Sequence, residues 1–222
     1  MPRKKFDLSL LPPAPDLQFE QEFWDAGVLL VAGIDEAGRG ALAGPVVAGA
    51  VVLPNRTDLT VVLNGVKDSK QMTAKARQKW FEVIQEVAVA AEVGLASAAE
   101  IDEIGILPAT RLAALRALLE TDRKPEHLLL DYLSIPAAGL PETTLVKGDC
   151  RSLSIAAASI MAKVTRDTLM VRLEDEYPGY GFAAHKGYGT AGHRAAIKKL
   201  GPCPVHRMSF APMREDPQIK LF

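Results

Sequence analysis

The sequence contains few cysteines and no long apolar run. Its two cysteines, Cys150 and Cys203, are far apart and in no spacing typical of a metal site, so we expect free thiols rather than a disulfide framework. No segment reaches the roughly 18 consecutive apolar residues of a membrane-spanning helix. The basic start contains Asp7 and several prolines instead of the apolar run of a signal peptide. We therefore expect a cytoplasmic protein with no membrane segment.

The sequence also lacks an excess of charge of either sign. Its formal net charge is −1, from 26 lysines and arginines against 27 aspartates and glutamates in 222 residues. This balance excludes a protein that coats nucleic acid with its whole surface, so any nucleic acid must bind to a local patch. Hydrophobic residues make up 48% of the chain, which is enough for the core of one large domain.

Hydrophobic periodicity and capping signals predict alternating strands and helices. We expect residues 1–16 to be a flexible, proline-rich lead-in, residues 17–177 to be the main domain, and residues 178–222 to be a C-terminal region packed on the same domain. The order of elements predicts an α/β fold with a mixed sheet. The predicted elements are a helix over 17–27, strands over 28–34 and 45–53, a helix capped by Thr73, a strand over 91–97, helices that begin near Ser97 and Pro108, strands over 127–133 and 143–147, and helices over 152–176 and 191–200.

Four carboxylates lie at the ends of predicted elements. Asp35 and Glu36 follow the first strand, Asp131 ends a later apolar stretch, and Asp149 precedes the long helix. Because neighbouring side chains in a strand point to opposite faces, the first two can share a site only if the strand ends or twists there. Carboxylates that converge unpaired are costly, and a hard divalent cation removes that cost. Taken one at a time, each acid is equally consistent with a solvated turn or a helix cap.

A glycine-rich loop connects the first two predicted strands. Gly38, Gly40 and Gly44 give a pattern that resembles a dinucleotide-binding loop, which would indicate an oxidoreductase. Pro45 and a strand follow, however, where that motif requires a helix, and the preceding acids would repel a pyrophosphate. We favour a loop whose amides approach a sugar–phosphate closely, with Arg39 directed at the phosphate, over a plain hairpin.

Basic residues gather in a loop that contains Lys67, Ser69 and Lys70, and again in the C-terminal region. Contacts of this kind position a duplex without reading its sequence, which predicts salt-sensitive and largely sequence-independent binding. Three C-terminal histidines raise the alternative of a zinc site, but their spacing fits no zinc motif well. The further residues of these sets are Lys186, Arg194, Lys198, Lys199 and Arg207, and His185, His193 and His206.

Six ordered blocks of the sequence together resemble type 2 ribonuclease H, the ribonuclease HII family. The likeness runs from about Leu17 to Phe210, and the combination of blocks is far more specific than any single one. The blocks are GIDEAGRGALAGPVVAGAVVL, KDSK at 67–70, KGD at 147–149, SIAAASIMAKVTRD at 154–167, HKGYGT at 185–190 and HRMSF at 206–210.

The resemblance implies a ribonuclease H-like fold, with a mixed five-stranded sheet flanked by helices and a small helical C-terminal region. It also implies an endonuclease that cuts the RNA strand of RNA–DNA hybrids, and cuts 5′ of single ribonucleotides embedded in duplex DNA. Two-metal hydrolysis with Mg²⁺ or Mn²⁺ would leave 5′-phosphate and 3′-hydroxyl ends. The catalytic, metal-binding carboxylates would be Asp35, Glu36, Asp131 and Asp149.

The resemblance also assigns the substrate contacts. Gly38, Arg39 and Gly40 would contact the ribonucleotide 2′-hydroxyl, the group that distinguishes RNA from DNA, and the adjacent phosphate. Tyr188 would stack on the sugar of the following deoxynucleotide. The KDSK block would add the contacts of Lys67, Ser69 and Lys70, and we expect a monomer.

Three points stay open at this stage. The family often has glycine or alanine after the third acid, where this chain has Tyr132, so the geometry around Asp131 is in doubt. A hybrid-binding module that has lost catalysis is an alternative, although all four acids are present. The C-terminal EDPQIKLF is a faint signal for a peptide that binds a sliding clamp.

Overall fold

The computed structural model describes residues 6–7 and 11–214. The tail proposed to bind a clamp, residues 215–222, and half of the predicted lead-in (1–5 and 8–10) lie outside the described residues. The strands are β1 Val31–Ala37, β2 Val46–Val52, β3 Ala90–Ala96, β4 His127–Asp131 and β5 Glu142–Leu145. The α-helices are α1 Gln18–Asp25, α2 Leu59–Val62, α3 Ala74–Val87, α4 Ala98–Ile104, α5 Ile106–Leu119, α6 Leu153–Glu176, α7 Phe182–His185 and α8 Ala191–Leu200. Short 3-10 helices span Ser69–Gln71, Pro136–Ala138 and Gly148–Cys150.

The five strands form one mixed sheet in the order β3-β2-β1-β4-β5. The first three strands pair antiparallel as a meander, whereas β1 with β4 and β4 with β5 pair in parallel. The predicted mixed sheet of an α/β fold is therefore confirmed. Because β1 lies at the centre, the loop after it opens at the edge where the parallel strands also end.

Helices cover both faces of the sheet. The long helix α6 packs on one face with α1 and α3, and α5 packs on the other. Glycines in the strands allow this close contact: a Cβ on Gly33 would lie 2.2 Å from the backbone of Ser154, and one on Gly49 would lie 2.4 Å from the carbonyl oxygen of Ala158. The small residues of the SIAAAS segment bring α6 onto the sheet from its own side.

Capping signals located several helix starts correctly. The side chain of Thr73 caps α3, and Ser97 with Glu100 forms the predicted capping box at the start of α4. The helix predicted to begin near Pro108 begins earlier, at Ile106, directly after Gly105. Five short elements of the described chain, α2, α7 and the three 3-10 helices, were not predicted, because segments of three or four residues show no clear periodicity.

The first strand runs three residues later than the apolar pattern predicted. The amides of Leu29 and Leu30 donate to the carboxylate of Glu126 instead of joining the sheet. At the other end, pairing with β2 continues to Ala37. Asp35 and Glu36 therefore lie inside β1, not after it. Across the described ranges, 6–7 and 11–214, no helix is both long and apolar enough to span a membrane.

Candidate active site

Asp35 and Asp131 meet through the parallel pairing of β1 with β4. The last residue pair of that ladder is Ile34 with Leu130, so each acid is the next residue along its strand. Parallel neighbours that leave the ladder together point to the same region of space. Asp35 is 4% exposed, and its Oδ2 has no hydrogen-bond partner.

Glu36 faces the opposite side of β1 from Asp35, and yet both line one cavity of about 560 Å³. This is possible because the ladder with β4 has already ended, while pairing with β2 still holds the strand. From the sequence, the two acids could share a site only if the strand ended or twisted there. The early end of the pairing with β4 meets that requirement. The cavity is lined by Asp35, Glu36, Ala37, Gly38, Arg39, Gly40, Ser69, Lys70, Arg77, Asp131, Lys163 and Tyr188.

Asp149 reaches the same region from the 3-10 helix that precedes α6. Its carboxylate is 3% exposed, and Oδ1 has no partner. The adjacent Gly148 donates its N–H to Oδ1 of Asp131 at 2.9 Å, which ties the third acid to the fourth. Lys70 Nζ lies 3.5 Å from Oδ2 of Asp149. All four acids are therefore connected by geometry, although Asp149 is not among the residues that line the cavity.

The acidic cluster holds more negative than positive charge, and the pKa values of its members are shifted accordingly. Burial, and then the charges of Glu36 and Asp131, raise the pKa of Asp35 well above its usual value. Burial is also the main cause that raises the pKa of Asp131, against the hydrogen bond from Gly148. Burial by itself would lower the pKa of Lys70, but the neighbouring carboxylates outweigh it and raise that pKa. One lysine whose side chain is 70% exposed does not neutralise such a site, so a cation fits it.

The unpartnered oxygens of Asp35 and Asp149 fit a hard divalent ion, which prefers oxygen ligands. A ligand group not found from the sequence, Asp68, Asp149 and Cys150, has donor atoms within 4.8 Å of one another. Burial raises the pKa of the Cys150 thiol to about 11, so the thiol stays protonated and is a poor ligand for such an ion. Asp68 belongs to the KDSK block, from which only the two lysines and the serine were predicted as site residues.

The glycine loop presents free donors at the rim of the cavity. No hydrogen bond among the described residues uses the N–H of Gly38, Arg39 or Gly40. Gly38 has φ +97°, and a Cβ there would lie 1.9 Å from Nε of Arg166, so only glycine fits. Arg39 is exposed and donates from Nη1 to Glu36 at 3.0 Å. Because β2 follows this loop where a dinucleotide-binding loop needs a helix, the structure also disfavours the oxidoreductase alternative.

Tyr188 lines the same cavity as the acids and is 36% exposed. The charged ends of Lys163 and Arg166 lie 5.7 and 5.3 Å from the ring centroid.

Two further predicted substrate contacts, Ser69 and Lys67 of the KDSK block, lie in different environments. Ser69 is buried and shares a 2.6 Å hydrogen bond with Ser159, so it also fixes its loop to α6. Lys67 is exposed and is not part of the cavity lining.

Two of the three C-terminal histidines, His193 and His206, form a hydrogen-bonded chain, whereas Nε2 of His185 bonds to the carbonyl oxygen of Tyr180. Cys203 donates its N–H to Nδ1 of His206, so the proton of His206 sits on Nε2 and is donated to Nε2 of His193 at 3.1 Å. His193 then donates from Nδ1 to the carbonyl oxygen of Tyr188 at 3.0 Å. These bonds use both nitrogens of each ring, and the chain ends at the backbone of a predicted substrate contact. In the described part of the protein these histidines belong to no group of three metal ligands.

A central parallel strand pair that ends in buried carboxylates, beside an open groove with free amides and exposed cations, defines a metal-dependent nuclease with a ribonuclease H-like sheet. Comparisons with known proteins agree. A family model described as Ribonuclease HII matches residues 32–213, so this chain belongs to the ribonuclease HII family. Ribonuclease HII of Synechococcus sp. (strain JA-3-3Ab) is 54% identical over 201 residues, which cover 90% of each chain.

Solved structures show the same fold. Ribonuclease H2 from Pyrococcus horikoshii OT3 superposes with a TM-score of 0.73 at 29% identity, over 86% of this chain and 99% of that one. The PCNA:RNase HII complex from Archaeoglobus fulgidus gives 0.70 at 28% identity, over 82% of this chain and 95% of that one. The family and fold expectations are confirmed: the protein is a metal-dependent endoribonuclease that acts on RNA–DNA hybrids.

Proposed function

We propose that the protein cuts on the 5′ side of single ribonucleotides embedded in duplex DNA, as well as within RNA–DNA hybrids, and that Asp35, Glu36, Asp131 and Asp149 are its metal ligands. The observation that carries this proposal is the pair of carboxylates just beyond the parallel ladder, Asp35 within β1 and Asp131 at the end of β4, on the wall of the cavity that the glycine loop and Tyr188 also line. Recognition groups and acids thus share one groove.

Mg²⁺ or Mn²⁺ held by these oxygens would activate water and stabilise the leaving oxygen, and would yield 5′-phosphate and 3′-hydroxyl ends. Asp35 and Asp131 lie just beyond the parallel ladder that fixes their backbones, and the Gly148 amide also holds the carboxylate of Asp131. Asp149 completes the set or orients the attacking water from the start of α6. Lys70 partly neutralises the acids and reaches toward a substrate phosphate.

The substrate contacts follow from the other groups of the same cavity. The amides of Gly38, Arg39 and Gly40 donate to the 2′-hydroxyl and to the adjacent phosphate, which gives selectivity for a ribonucleotide. Tyr188 stacks on the sugar of the next deoxynucleotide, with Lys163 and Arg166 beside the ring to attract the backbone. Residues 178–222 act as the substrate-binding region, since Tyr188 and the segment that bonds to the glycine loop both come from it.

A sliding clamp is a further proposed partner. Its support is the Archaeoglobus relative solved with PCNA and the glutamine and terminal phenylalanine in the last eight residues of this chain. Deletion of residues 215–222 is expected to abolish co-purification with a clamp and to leave cleavage of short duplexes unchanged. Retained clamp binding by the shortened protein would place the contact elsewhere.

The test is cleavage of a labelled DNA duplex with one embedded ribonucleotide, in Mg²⁺ or Mn²⁺, by the wild type, Asp35→Asn and Asp58→Asn. Asp58 is an exposed acid paired with Arg56 and serves as the matched control. We expect a metal-dependent cut 5′ of the ribonucleotide, retained by the control and lost in Asp35→Asn. Wild-type protein that binds the duplex without cutting it would instead indicate a binding module.

A further inference from the structure

Two arginines are fully buried behind the glycine loop. Arg166 on α6 and Arg207 in the C-terminal segment are both 0% exposed. Within the described ranges, no carboxylate forms an ion pair with either guanidinium. A buried charge without a partner costs several kcal/mol, so each arginine needs strong compensation from polar groups. Every side-chain hydrogen bond described for the two guanidiniums goes to a backbone carbonyl, and the guanidinium of Arg207 also lies 5.2 Å from the ring centroid of Phe210.

Arg207 holds the loop after β1. It donates from Nη2 to the carbonyl oxygen of Gly38 at 2.8 Å, from Nη1 to that of Arg39 at 2.9 Å, and from Nε to that of Gly44 at 3.1 Å. In a trans peptide the C=O of one residue and the N–H of the next point in opposite directions. The two carbonyls bound to Arg207 therefore turn the N–H groups of Arg39 and Gly40 away from it. These are two of the three loop amides that have no acceptor in the described structure.

Arg166 joins the two recognition segments to each other. It donates to the carbonyl oxygens of Pro45 at 2.9 Å and Ala43 at 3.1 Å in the loop, and to that of Lys186 at 2.9 Å, two residues before Tyr188. Its guanidinium carbon also lies 5.3 Å from the centroid of the Tyr188 ring. One rigid group thus fixes the distance between the loop amides and the ring.

We propose that Arg166 and Arg207 are positioning residues that set discrimination at the RNA-to-DNA junction: Arg207 orients the donor amides, and Arg166 sets their spacing from Tyr188. This inference rests on the proposed function, since it concerns how the same groove selects its substrate. Neither arginine contacts the reacting phosphate, and both act through the backbone.

The test uses Arg166→Lys and Arg207→Lys, which keep the charge and lose the forked geometry. The measured quantity is the single-turnover rate on a duplex with one ribonucleotide, divided by the rate on a uniform RNA–DNA hybrid. We expect each variant to lower this ratio by about tenfold, since small misplacements of reacting groups reach a hundredfold. Arg111→Lys is the matched control, because Arg111 also donates to a backbone carbonyl, that of Ser134, away from the groove.

A double-mutant cycle separates positioning from general destabilisation. If Arg166 acts by placing Tyr188, then Tyr188→Ala should cost much less in the Arg166→Lys background than in the wild type. Additive losses, or an unchanged rate ratio in variants that melt at the same temperature as the control variant, would overturn the proposal. A wild type that cuts neither substrate would defeat the proposed function itself, before any variant is compared.

A wild-type measurement covers the case in which the lysine variants do not fold. In metal-free protein labelled with ¹⁵N-arginine, two slowly exchanging Nε–H resonances should report the buried guanidiniums. We expect both to shift when a duplex with one ribonucleotide is added, and to shift less with an all-DNA duplex of the same sequence. Equal shifts with the two duplexes would show that these arginines do not sense the ribonucleotide.

Discussion

Asp35 and Asp131 occupy equivalent positions, one residue beyond the final pair of the parallel ladder between β1 and β4. This relationship brings a buried carboxylate next to a partly buried one. Burial and the charges of Glu36 and Asp131 raise the pKa of Asp35, whereas burial and the charges of Asp149 and Glu36 raise the pKa of Asp131. Stability and activity are therefore opposed at this site.

Asp35→Asn is expected to abolish cleavage and to stabilise the metal-free protein. Removing one charge relieves burial cost and repulsion, which should raise the free energy of unfolding by about 1–2 kcal/mol in chelator. Cleavage should fall by roughly a hundredfold or more, because a ligand is lost. Denaturant titration and single-turnover assays measure the two effects. A variant less stable than the wild type would mean that Asp35 is already well compensated.

Adding Mg²⁺ or Mn²⁺ is expected to stabilise the wild type. A ligand that binds only the folded state contributes about 2.7 kcal/mol at a hundred times its dissociation constant. Thermal unfolding with and without metal measures this, and Asp35→Asn should lose most of the gain. Asp58→Asn should keep the full gain. An equal gain in Asp35→Asn and the wild type would place the ion at a different group of ligands.

Acid should weaken the protein through His206. Burial, followed by the charge of His193, lowers the pKa of His206 to about 4. The unfolded histidine, with a pKa of about 6.5, takes up a proton first, so stability present above pH 6.5 is lost as the pH falls toward 4. Between pH 7 and pH 5 the loss should be about 2 kcal/mol by denaturant titration. His206→Gln is expected to show a correspondingly shallower loss, and an unchanged pH profile would assign it to other groups.

The two lysines of the KDSK block should contribute unequally to binding. Lys70 lines the cavity and lies 3.5 Å from Asp149, whereas Lys67 is exposed outside the lining. Loss of one phosphate contact lowers the slope of log affinity against log salt by about one. We expect this change for Lys70→Ala in a binding titration over several salt concentrations, and a smaller one for Lys67→Ala. Unaltered salt dependence in both variants would remove this block from the interface.

Tyr132, which follows the third acid Asp131, adopts a backbone conformation that is unfavourable for a tyrosine. Its φ is +62°, a left-handed conformation that favours glycine, and its side chain is 60% exposed. Tyr132→Gly should relieve about 1–2 kcal/mol of backbone strain and lose about 0.5–1 kcal/mol through greater freedom of the unfolded chain. We therefore expect stability equal to or slightly above that of the wild type, with unchanged cleavage.

Tyr132→Ala is the matched control for that substitution. It removes the same ring and keeps the strained conformation, so denaturant titration should find it less stable than Tyr132→Gly by about 1 kcal/mol. Equal loss of cleavage in both variants would instead show that the ring contacts the substrate.

Several local features were determined by the sequence itself. Side chains that cap their own helix act over three residues, so the Thr73 cap and the Ser97–Glu100 capping box could be predicted from spacing alone. The long helix α6, predicted over 152–176, was equally clear and is observed as Leu153–Glu176. The six ordered blocks identified the family and, by resemblance, the acids. These conclusions needed no knowledge of which segments become neighbours.

Only the tertiary structure decided how the acids and the recognition groups combine. That Asp35 and Glu36 share a cavity depends on where β4 stops pairing with β1, which is a property of two strands more than ninety residues apart. Arg207 was placed among surface basic residues by sequence, and it is buried because the carbonyls of a distant loop satisfy its donors. Long-range hydrogen bonds of this kind have no local pattern, since either partner alone is an ordinary surface residue.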